Sequence, residues 1–242
     1  MLFPLGDSNP TERFAFVTAG LIAVNAIVFV YELMLGPELN SFVAAYGMVP
    51  FEITRFADLA GGGVAGPIVH APGPPLIQLT LLTSMFIHGG FLHLIGNMLY
   101  LWIFGNNIED LLGPIKFLVF YLVCGLVAAL AHILTEPGSV VPTVGASGAV
   151  SGVLGAYLVA HPRARVVTLV FLGFFIRLIQ VPAAVILVFW FVLQIFSGVA
   201  SLSTGVQASG VAWFAHIGGF LAGVVLIKLL AGQRLRWMKT RT

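Results

Sequence analysis

Residues 144–160 read VGASGAVSGVLGAYLVA and are followed by HPR at positions 161–163. The stretch is apolar and rich in small residues, and the proline after it ends any helix that forms there. Arginine just beyond such a stretch is typical of a membrane interface. A helix from Ser147 to Ala160 reaches about 21 Å, whereas the hydrocarbon core is about 30 Å thick. We therefore expect this helix to begin about 9 Å inside the bilayer.

The backbone that leads into this short helix must also enter the bilayer. Pro142 to Gly145 would descend as non-helical chain, which hydrocarbon does not tolerate unless protein or a water-filled cavity surrounds it. The sequence therefore predicts a buried, water-filled cavity in which Ser147 lies.

The composition of the chain is that of an integral membrane protein. Of its 242 residues, 59% are hydrophobic and 8% are charged, against about 25% charged in soluble domains. The formal net charge is +2, and the basic residues form no patch interleaved with aromatic residues, so a nucleic-acid partner is not expected. We expect one multi-pass domain over residues 1–242, embedded in the lipid bilayer of the cell membrane.

The apolar segments predict an all-α membrane protein with six transmembrane helices and a long outer loop, rich in Gly and Pro, at 36–78. The six spans are expected at residues 14–34, 83–104, 116–134, 146–160, 178–199 and 211–230. Val166–Ile176 is also apolar, but its eleven residues reach only about 16 Å as a helix. We expect it to lie at the interface or against the bundle, and a seventh span at this place is the main alternative.

The positions of the basic residues favour six spans with both termini in the cytoplasm, because Lys and Arg collect in cytoplasmic loops. With the amino terminus inside, Arg55 is the one basic residue that falls outside, and 10 of the 11 fall inside. The inner set is Arg13, Lys116, Arg163, Arg165, Arg177, Lys228, Arg234, Arg236, Lys239 and Arg241.

Polar residues interrupt the second, fourth and sixth spans, and such residues usually face one another or a cavity. They are His88, His93 and Asn97 in span two, Ser147 at the start of span four, and His216 in span six. These three spans run in the same direction, from outside to inside. All the polar groups therefore lie near the outer ends of their spans, where they can meet.

Small residues four positions apart predict that spans four and six pack closely, since such spacing lets helix backbones touch in lipid. Span four carries Gly148 and Gly152, and span six carries Gly219 and Gly223. His216 precedes these last two glycines by three and seven residues, on the same helix face. The alternative interpretation is ordinary helix packing without chemistry.

A serine becomes a nucleophile only beside a base, and His216 is the one histidine in a span after Ser147. No Asp or Glu follows Glu136, so a Ser-His dyad is more economical than a triad with a carboxylate. His93 and Asn97, one turn apart, and the backbone N–H of Ser147 are candidate donors to an oxyanion. An interhelical hydrogen bond that only stabilises the bundle is the alternative for that pair.

Three motifs in this order resemble the rhomboid family of intramembrane serine proteases. Along the chain they are HGGFLHLIGN at 88–97, GASG at 145–148 and AHIGG at 215–219. The resemblance implies that Ser147 attacks a peptide bond in the transmembrane segment of a single-span membrane protein, near the outer face, while His216 transfers its proton. It also implies oxyanion stabilisation by His93 and Asn97, and it requires no metal or cofactor. The expected supporting residues are His88, Gly145, Gly148 and Gly219.

The chain departs from the family pattern at two places. The Trp-Arg pair common in the loop after the first span is absent, and Ser151 stands where relatives often carry an aromatic residue that packs on the catalytic histidine. The group that orients His216 is therefore left open, and Ser151 is a second candidate nucleophile. Two other functions remain as alternatives: a catalytically inactive rhomboid-like scaffold or chaperone, and a small membrane transporter with intramembrane His and Asn on its path.

Overall fold

A computed structural model describes residues 2–61, 70–172, 175–204 and 211–239. The described chain is mostly helical, with one small sheet. The helices are α1 (Phe16–Met34), α2 (Leu39–Tyr46), α3 (Pro50–Arg55), α4 (Thr80–Thr83), α5 (Phe91–Tyr100), α6 (Asn106–Leu112), α7 (Pro114–Thr135), α8 (Ser147–Ala160), α9 (Ala183–Thr204) and α10 (Trp213–Lys239).

Four helices are long and apolar enough to cross a membrane, namely α1, α7, the Ala183–Leu202 part of α9 and the Trp213–Gly232 part of α10. A fifth span arises if the bent pair Ile77–Phe86 and Phe91–Leu112 counts as one. Helix α8 is apolar but has only 14 residues, as the position of the proline predicts. Several apolar helices in one chain make this an integral, multi-pass membrane protein.

The second predicted span is not a continuous helix from residue 83. The helical pair Ile77–Phe86 and Phe91–Leu112 bends by 81° at its break, and α5 begins only at Phe91. Ile87 has an extended backbone and Gly90 has φ +153°, a conformation that only glycine adopts easily. From Phe91 the helix continues through a π-helical turn, Leu101–Gly105, into α6. The predicted second span, 83–104, is therefore interrupted. Residues 87–90 are not helical, and the continuous helix begins only at Phe91.

A three-stranded antiparallel sheet corrects the prediction of an all-α chain. Its strands are β1 (Leu2–Asp7), β2 (Arg165–Leu172) and β3 (Phe175–Pro182), in the order β1-β2-β3. The segment Val166–Ile176 is predicted to be interfacial or packed on the bundle, and its described residues, 166–172 and 175–176, are strand. Its many β-branched residues favour this conformation. The helix predicted from residue 178 begins instead at Ala183, because Leu178–Pro182 completes the hairpin.

Helix α8 forms the centre of the bundle, buried from Gly148 to Tyr157 between α7 and α10. A Cβ added at Gly219 would lie 2.0 Å from the Gly148 carbonyl oxygen, and one at Gly223 would lie 1.8 Å from that of Gly152. No side chain fits at either position, so the backbones of α8 and α10 are in direct contact. This confirms the close packing predicted from the glycine spacing.

A buried carboxylate joins the start of α1 to α6. Both carboxylate oxygens of Glu109 accept hydrogen bonds, from the Val17 N–H at 2.9 Å and the Thr18 N–H at 2.7 Å. These N–H groups belong to the first turn of α1, which has no intrahelical partners for them. A negative charge at this helix N-terminus also interacts favourably with the helix dipole. Glu109 therefore fixes the end of the bundle opposite the start of α8.

Five polar residues, which we call the basal cluster, join β1 to the end of α8. The Asp7 carboxylate accepts hydrogen bonds from the Tyr157 hydroxyl and from Asn107 Nδ2 at 3.0 Å. Asn9 Nδ2 donates to Asn107 Oδ1 at 2.5 Å and lies 3.2 Å from His161 Nδ1. Burial raises the pKa of the Asp7 carboxyl, against the opposing effect of its hydrogen bonds, and lowers the pKa of His161 to about 4.

The predicted outer loop, 36–78, contains two short α-helices, α2 and α3, in its described part. Met48 pairs with Thr143, with N–H···O distances of 3.1 and 2.8 Å in the two directions. This bridge ties the loop to the chain just before α8. Glu52 is buried and accepts a hydrogen bond from the Leu59 N–H at 2.9 Å, and burial raises the pKa of its carboxyl.

Candidate active site

The starts of α8 and α10 bring Ser147 and His216 together. Ser147 is the first residue of α8, and His216 follows three residues after α10 begins. Ser147 Oγ lies 2.8 Å from His216 Nε2, within ordinary hydrogen-bond distance. Both side chains are half-buried. The pair predicted from the sequence is thus adjacent, although 69 residues separate its members.

The other ring nitrogen of His216 contacts a residue that the sequence analysis missed. Nδ1 lies 2.8 Å from Oε1 of Gln194, which is on α9 and only 6% exposed. If Nδ1 carries the proton and donates it to Oε1, then Nε2 is free to accept the hydroxyl hydrogen of Ser147. Gln194 is the partner that the described residues give to this nitrogen.

Two tryptophans flank the same imidazole. The ring centroid of Trp190 lies 5.9 Å from that of His216, and the ring of Trp213 lies 6.3 Å away at 89°. These two rings flank His216, as an aromatic residue at position 151 would be expected to do. Besides Ser147 of α8, the groups that flank His216 therefore come from α9 and from α10 itself.

Ser151 is held by its own helix. Its hydroxyl donates to the carbonyl oxygen of Ser147, one turn earlier, at 2.6 Å, and the residue is 1% exposed. A hydroxyl bonded to the preceding turn is a common arrangement for serine in a helix. Its geometry is therefore less suited to nucleophilic attack than that of Ser147.

His93 and Asn97 of α5 lie beside the start of α8. A Cβ at Gly145 would lie 2.6 Å from His93 Nε2, and Gly145 has φ +124°, so only glycine is accommodated here for two reasons. Asn97 is 7% exposed, and its Nδ2 has no hydrogen-bond partner among the described residues. A buried amide donor without a partner is unusual and costly. It remains available to a ligand in the cavity.

His88 lies behind His93, with ring centroids 5.1 Å apart. Its backbone N–H donates to the carboxylate of Glu32 at 3.1 and 3.3 Å. Glu32 is 2% exposed and is the one charged residue in α1. The carboxylate therefore holds the broken turn that precedes α5, and this role was also missed from the sequence.

A cavity of about 710 Å³ contains these groups. It lies where the sequence analysis expects one, at the start of α8. The polar atoms of the site share it with apolar side chains from the outer-loop segment, α7 and α9. Lining residues include Met48, His93, Asn97, Ser147, Trp190 and His216.

Simple signals in the sequence mark the missed residues. Gln194 is the one amide in the apolar run of α9, and Glu32 is the one acid in the first span. Both meet the criterion that identified His93 and Asn97, a polar side chain inside an apolar span. Trp190 carries no such signal, because a tryptophan in a transmembrane helix is ordinary.

The chain resembles proteins of one family. The profile of the rhomboid domain matches residues 78–233. The rhomboid protease GluP of Bacillus subtilis is 33% identical over 143 residues, which is 59% of this chain and 24% of that protein. The mitochondrial rhomboid protein 1 of Saccharomyces cerevisiae is 29% identical over 172 residues, 66% of this chain and 45% of that protein.

A third relative is similar over most of the chain. The mitochondrial presenilin-associated rhomboid-like protein of Rattus norvegicus is 26% identical over 224 residues, 90% of this chain and 49% of that protein. The chain thus spans between about a quarter and a half of the length of these relatives. Since the matched profile covers more than half of its residues, the chain belongs to the rhomboid family.

Proposed function

We propose that this chain is an intramembrane serine endopeptidase that cleaves transmembrane segments of membrane proteins with a Ser147–His216 dyad. The observation that carries the proposal is the 2.8 Å distance between Ser147 Oγ and His216 Nε2, inside a cavity of a multi-pass membrane protein. Membership of a family in which relatives are named as proteases supports it.

The proposed topology has six spans with both termini in the cytoplasm. Helices α1, α7 and α9 alternate in direction with the α5–α6 unit, α8 and α10. The 14 residues of α8 need not match the bilayer, because neighbouring helices surround it and lipid does not. The positions of the basic residues predict the orientation. In that orientation the cavity opens towards the outer face.

In the proposed mechanism, Ser147 Oγ attacks the carbonyl carbon of the scissile bond while Nε2 of His216 takes its proton. The C–N bond then breaks, and the imidazolium returns this proton to the leaving amine. Water attacks the resulting acyl-enzyme ester, again with His216 as base, and releases the second product together with free Ser147. The protons balance over one cycle.

The tetrahedral intermediate carries a negative oxygen that needs donors. Asn97 Nδ2 is a buried donor in the cavity without a partner among the described residues, and the Ser147 N–H lies at a helix start, where the dipole favours an anion. His93 can donate from its ring against Gly145. These groups are fixed by the fold before substrate arrives, which is what makes such donors effective.

The substrates we propose are single-span membrane proteins, cut near the outer face. A helical substrate must expose its backbone before Ser147 can reach a carbonyl. Segments with Gly, Ser or Pro, which are weaker helix formers, lose less on unwinding, so such segments are the expected cleavage sites.

The test is cleavage of a single-span substrate with a Gly- and Ser-rich outer end, by protein purified in detergent. Ser147→Ala and His216→Ala are expected to lose at least about 1,000-fold in kcat, because members of a catalytic pair act as a unit. Ser151→Ala is the matched control. Its hydroxyl is hydrogen-bonded to the preceding turn, so cleavage within about threefold of wild type is expected.

Two outcomes contradict the proposal. If Ser147→Ala cuts as well as wild type, the nucleophile is wrong. If wild type cuts none of several such substrates and a fluorophosphonate does not label Ser147, an inactive scaffold becomes the better hypothesis. Solute uptake into vesicles that contain the protein would instead indicate a transporter.

A further inference from the structure

We propose that Gln194 is a positioning residue that completes a Ser147–His216–Gln194 chain and sets the tautomer of the histidine. The inference rests on the proposed protease function and deepens it. It assigns a role on α9, which carries none of the residues that the sequence analysis identified. It also identifies a group that orients His216, which the sequence left open because Ser151 stands where relatives often carry an aromatic residue.

The three side chains form one continuous hydrogen-bonded chain. The distances are 2.8 Å from Ser147 Oγ to His216 Nε2 and 2.8 Å from His216 Nδ1 to Gln194 Oε1. Both nitrogens of one imidazole are thus engaged, one by the nucleophile and one by an amide oxygen. Gln194 is 6% exposed, so water competes little for its amide.

The two possible tautomers have opposite consequences. With the proton on Nδ1 donated to Gln194 Oε1, Nε2 has a lone pair that can take the proton of Ser147. With the proton on Nε2, the imidazole cannot act as base. Because an amide oxygen only accepts hydrogen bonds, its position beside Nδ1 selects the first tautomer.

An acceptor at Nδ1 also matters after proton transfer. His216 becomes an imidazolium as the tetrahedral intermediate forms, and its Nδ1–H bond becomes charge-assisted and stronger. The interaction is then stronger in the transition state than in the ground state, so its loss should reduce kcat and leave KM nearly unchanged. A hydrogen bond to a charged group corresponds to a loss of about 10- to 150-fold.

The partner of His216 Nδ1 is an amide, where a Ser-His-Asp triad would have a carboxylate. No Asp or Glu follows Glu136 in the sequence, and no acidic side chain of the described residues is hydrogen-bonded to His216. A neutral acceptor is weaker than the aspartate of a full triad. It also avoids placing a charge inside an apolar helix, which membranes make costly.

The experiment compares Gln194→Leu and Gln194→Glu with wild type, each with kcat and KM measured from pH 5 to pH 9. Gln194→Leu keeps the approximate volume but removes the acceptor, and we expect a fall in kcat of about 10- to 150-fold with KM within about twofold. Gln180→Leu, an exposed residue of β3, is the matched control and should cut like wild type.

The pH dependence of the Gln194→Glu rate distinguishes a positioning role from a merely structural one. Above the pH at which the new carboxyl ionises, it can only accept from Nδ1, and it should restore most of the activity lost in Gln194→Leu. Below that pH, the protonated carboxyl can donate to Nδ1 and favour the wrong tautomer. The ratio of the Gln194→Glu rate to the wild-type rate should therefore rise with pH, whereas the ratio for Gln194→Leu stays flat.

Melting temperature and fluorophosphonate labelling separate folding from positioning. A folded Gln194→Leu with kcat within threefold of wild type overturns the inference, as does a Gln194→Glu ratio that does not change with pH. Failure of the proposed function is a different result, because wild type itself would then cut nothing or Ser147→Ala would remain active.

Discussion

Replacing Gly219 with alanine is the sharpest test of how the bundle builds the site. The new Cβ would lie 2.0 Å from the Gly148 carbonyl oxygen and 3.3 Å from the Ala128 Cβ. Ordinary contact between carbon and oxygen needs about 3.2 Å, so α10 must move away from α8 by about 1 Å. His216 lies one turn before Gly219 on the same face and moves with it.

The displacement predicts both a kinetic and a stability effect. Adding about 1 Å to the 2.8 Å between Ser147 Oγ and His216 Nε2 takes the pair outside hydrogen-bond distance. A misplacement of about 1 Å costs about 100-fold in rate. Overpacking of a core costs about 1–3 kcal/mol, and about 1 kcal/mol corresponds to about 2–4 °C in the melting temperature of a protein of this size.

The assay measures kcat for the single-span substrate and the melting temperature in the same detergent. Gly20→Ala is the matched control, because a Cβ there meets no atom within 4 Å and alanine favours the helix. We expect the control to retain its activity and its melting temperature. A Gly219→Ala protein with wild-type kcat would show that the contact of α8 with α10 does not set the distance between Ser147 and His216.

Two further predictions concern other parts of the fold. Asn97→Ala should lower kcat about 100- to 1,000-fold with KM within about threefold, as expected when one oxyanion donor is lost. An unchanged kcat would show that the Asn97 amide has only a structural role. Asp7→Asn tests the basal cluster by thermal melts from pH 4 to pH 8. Burial raises the pKa of Asp7 in the folded state, so the wild type loses stability as pH rises through that pKa. The melting temperature of Asp7→Asn should therefore equal or exceed that of wild type at pH 8, and its advantage should shrink towards pH 4. An advantage that grows on acidification would contradict this argument.

The helices that carry local signals could be predicted closely. The proline and arginines after residue 160 and the small residues before it gave the bounds of α8, and continuous apolar runs gave α1 and α7 to within two residues. The Ser147–His216 pair followed from the few polar residues inside spans. These features depend on nearby sequence, or on the rule that polar groups in a membrane must meet.

The sheet and the broken span depend on contacts between distant residues. Strand β1 pairs with β2 across more than 150 residues, for example Phe3 with Leu169, and a short apolar run does not reveal such a partner. The turn before α5 is stabilised by Glu32, which is 56 residues from His88. Secondary-structure patterns along the chain carry no information on either pairing.

The close contact of α8 and α10 is a condition for the proposed chemistry as well as for packing. Serine has a single-carbon side chain, so its hydroxyl stays near the backbone that carries it. Helices at the ordinary separation of about 8–10 Å would leave a gap between Ser147 and a ring on the neighbouring helix. Gly148 and Gly219 remove that gap by letting the backbones touch. The same contact buries α8 in protein, which the proposed topology requires of a helix too short for the bilayer with Ser147 below the membrane surface. Variants that widen this contact should therefore lose fluorophosphonate labelling of Ser147 at temperatures where they are still folded.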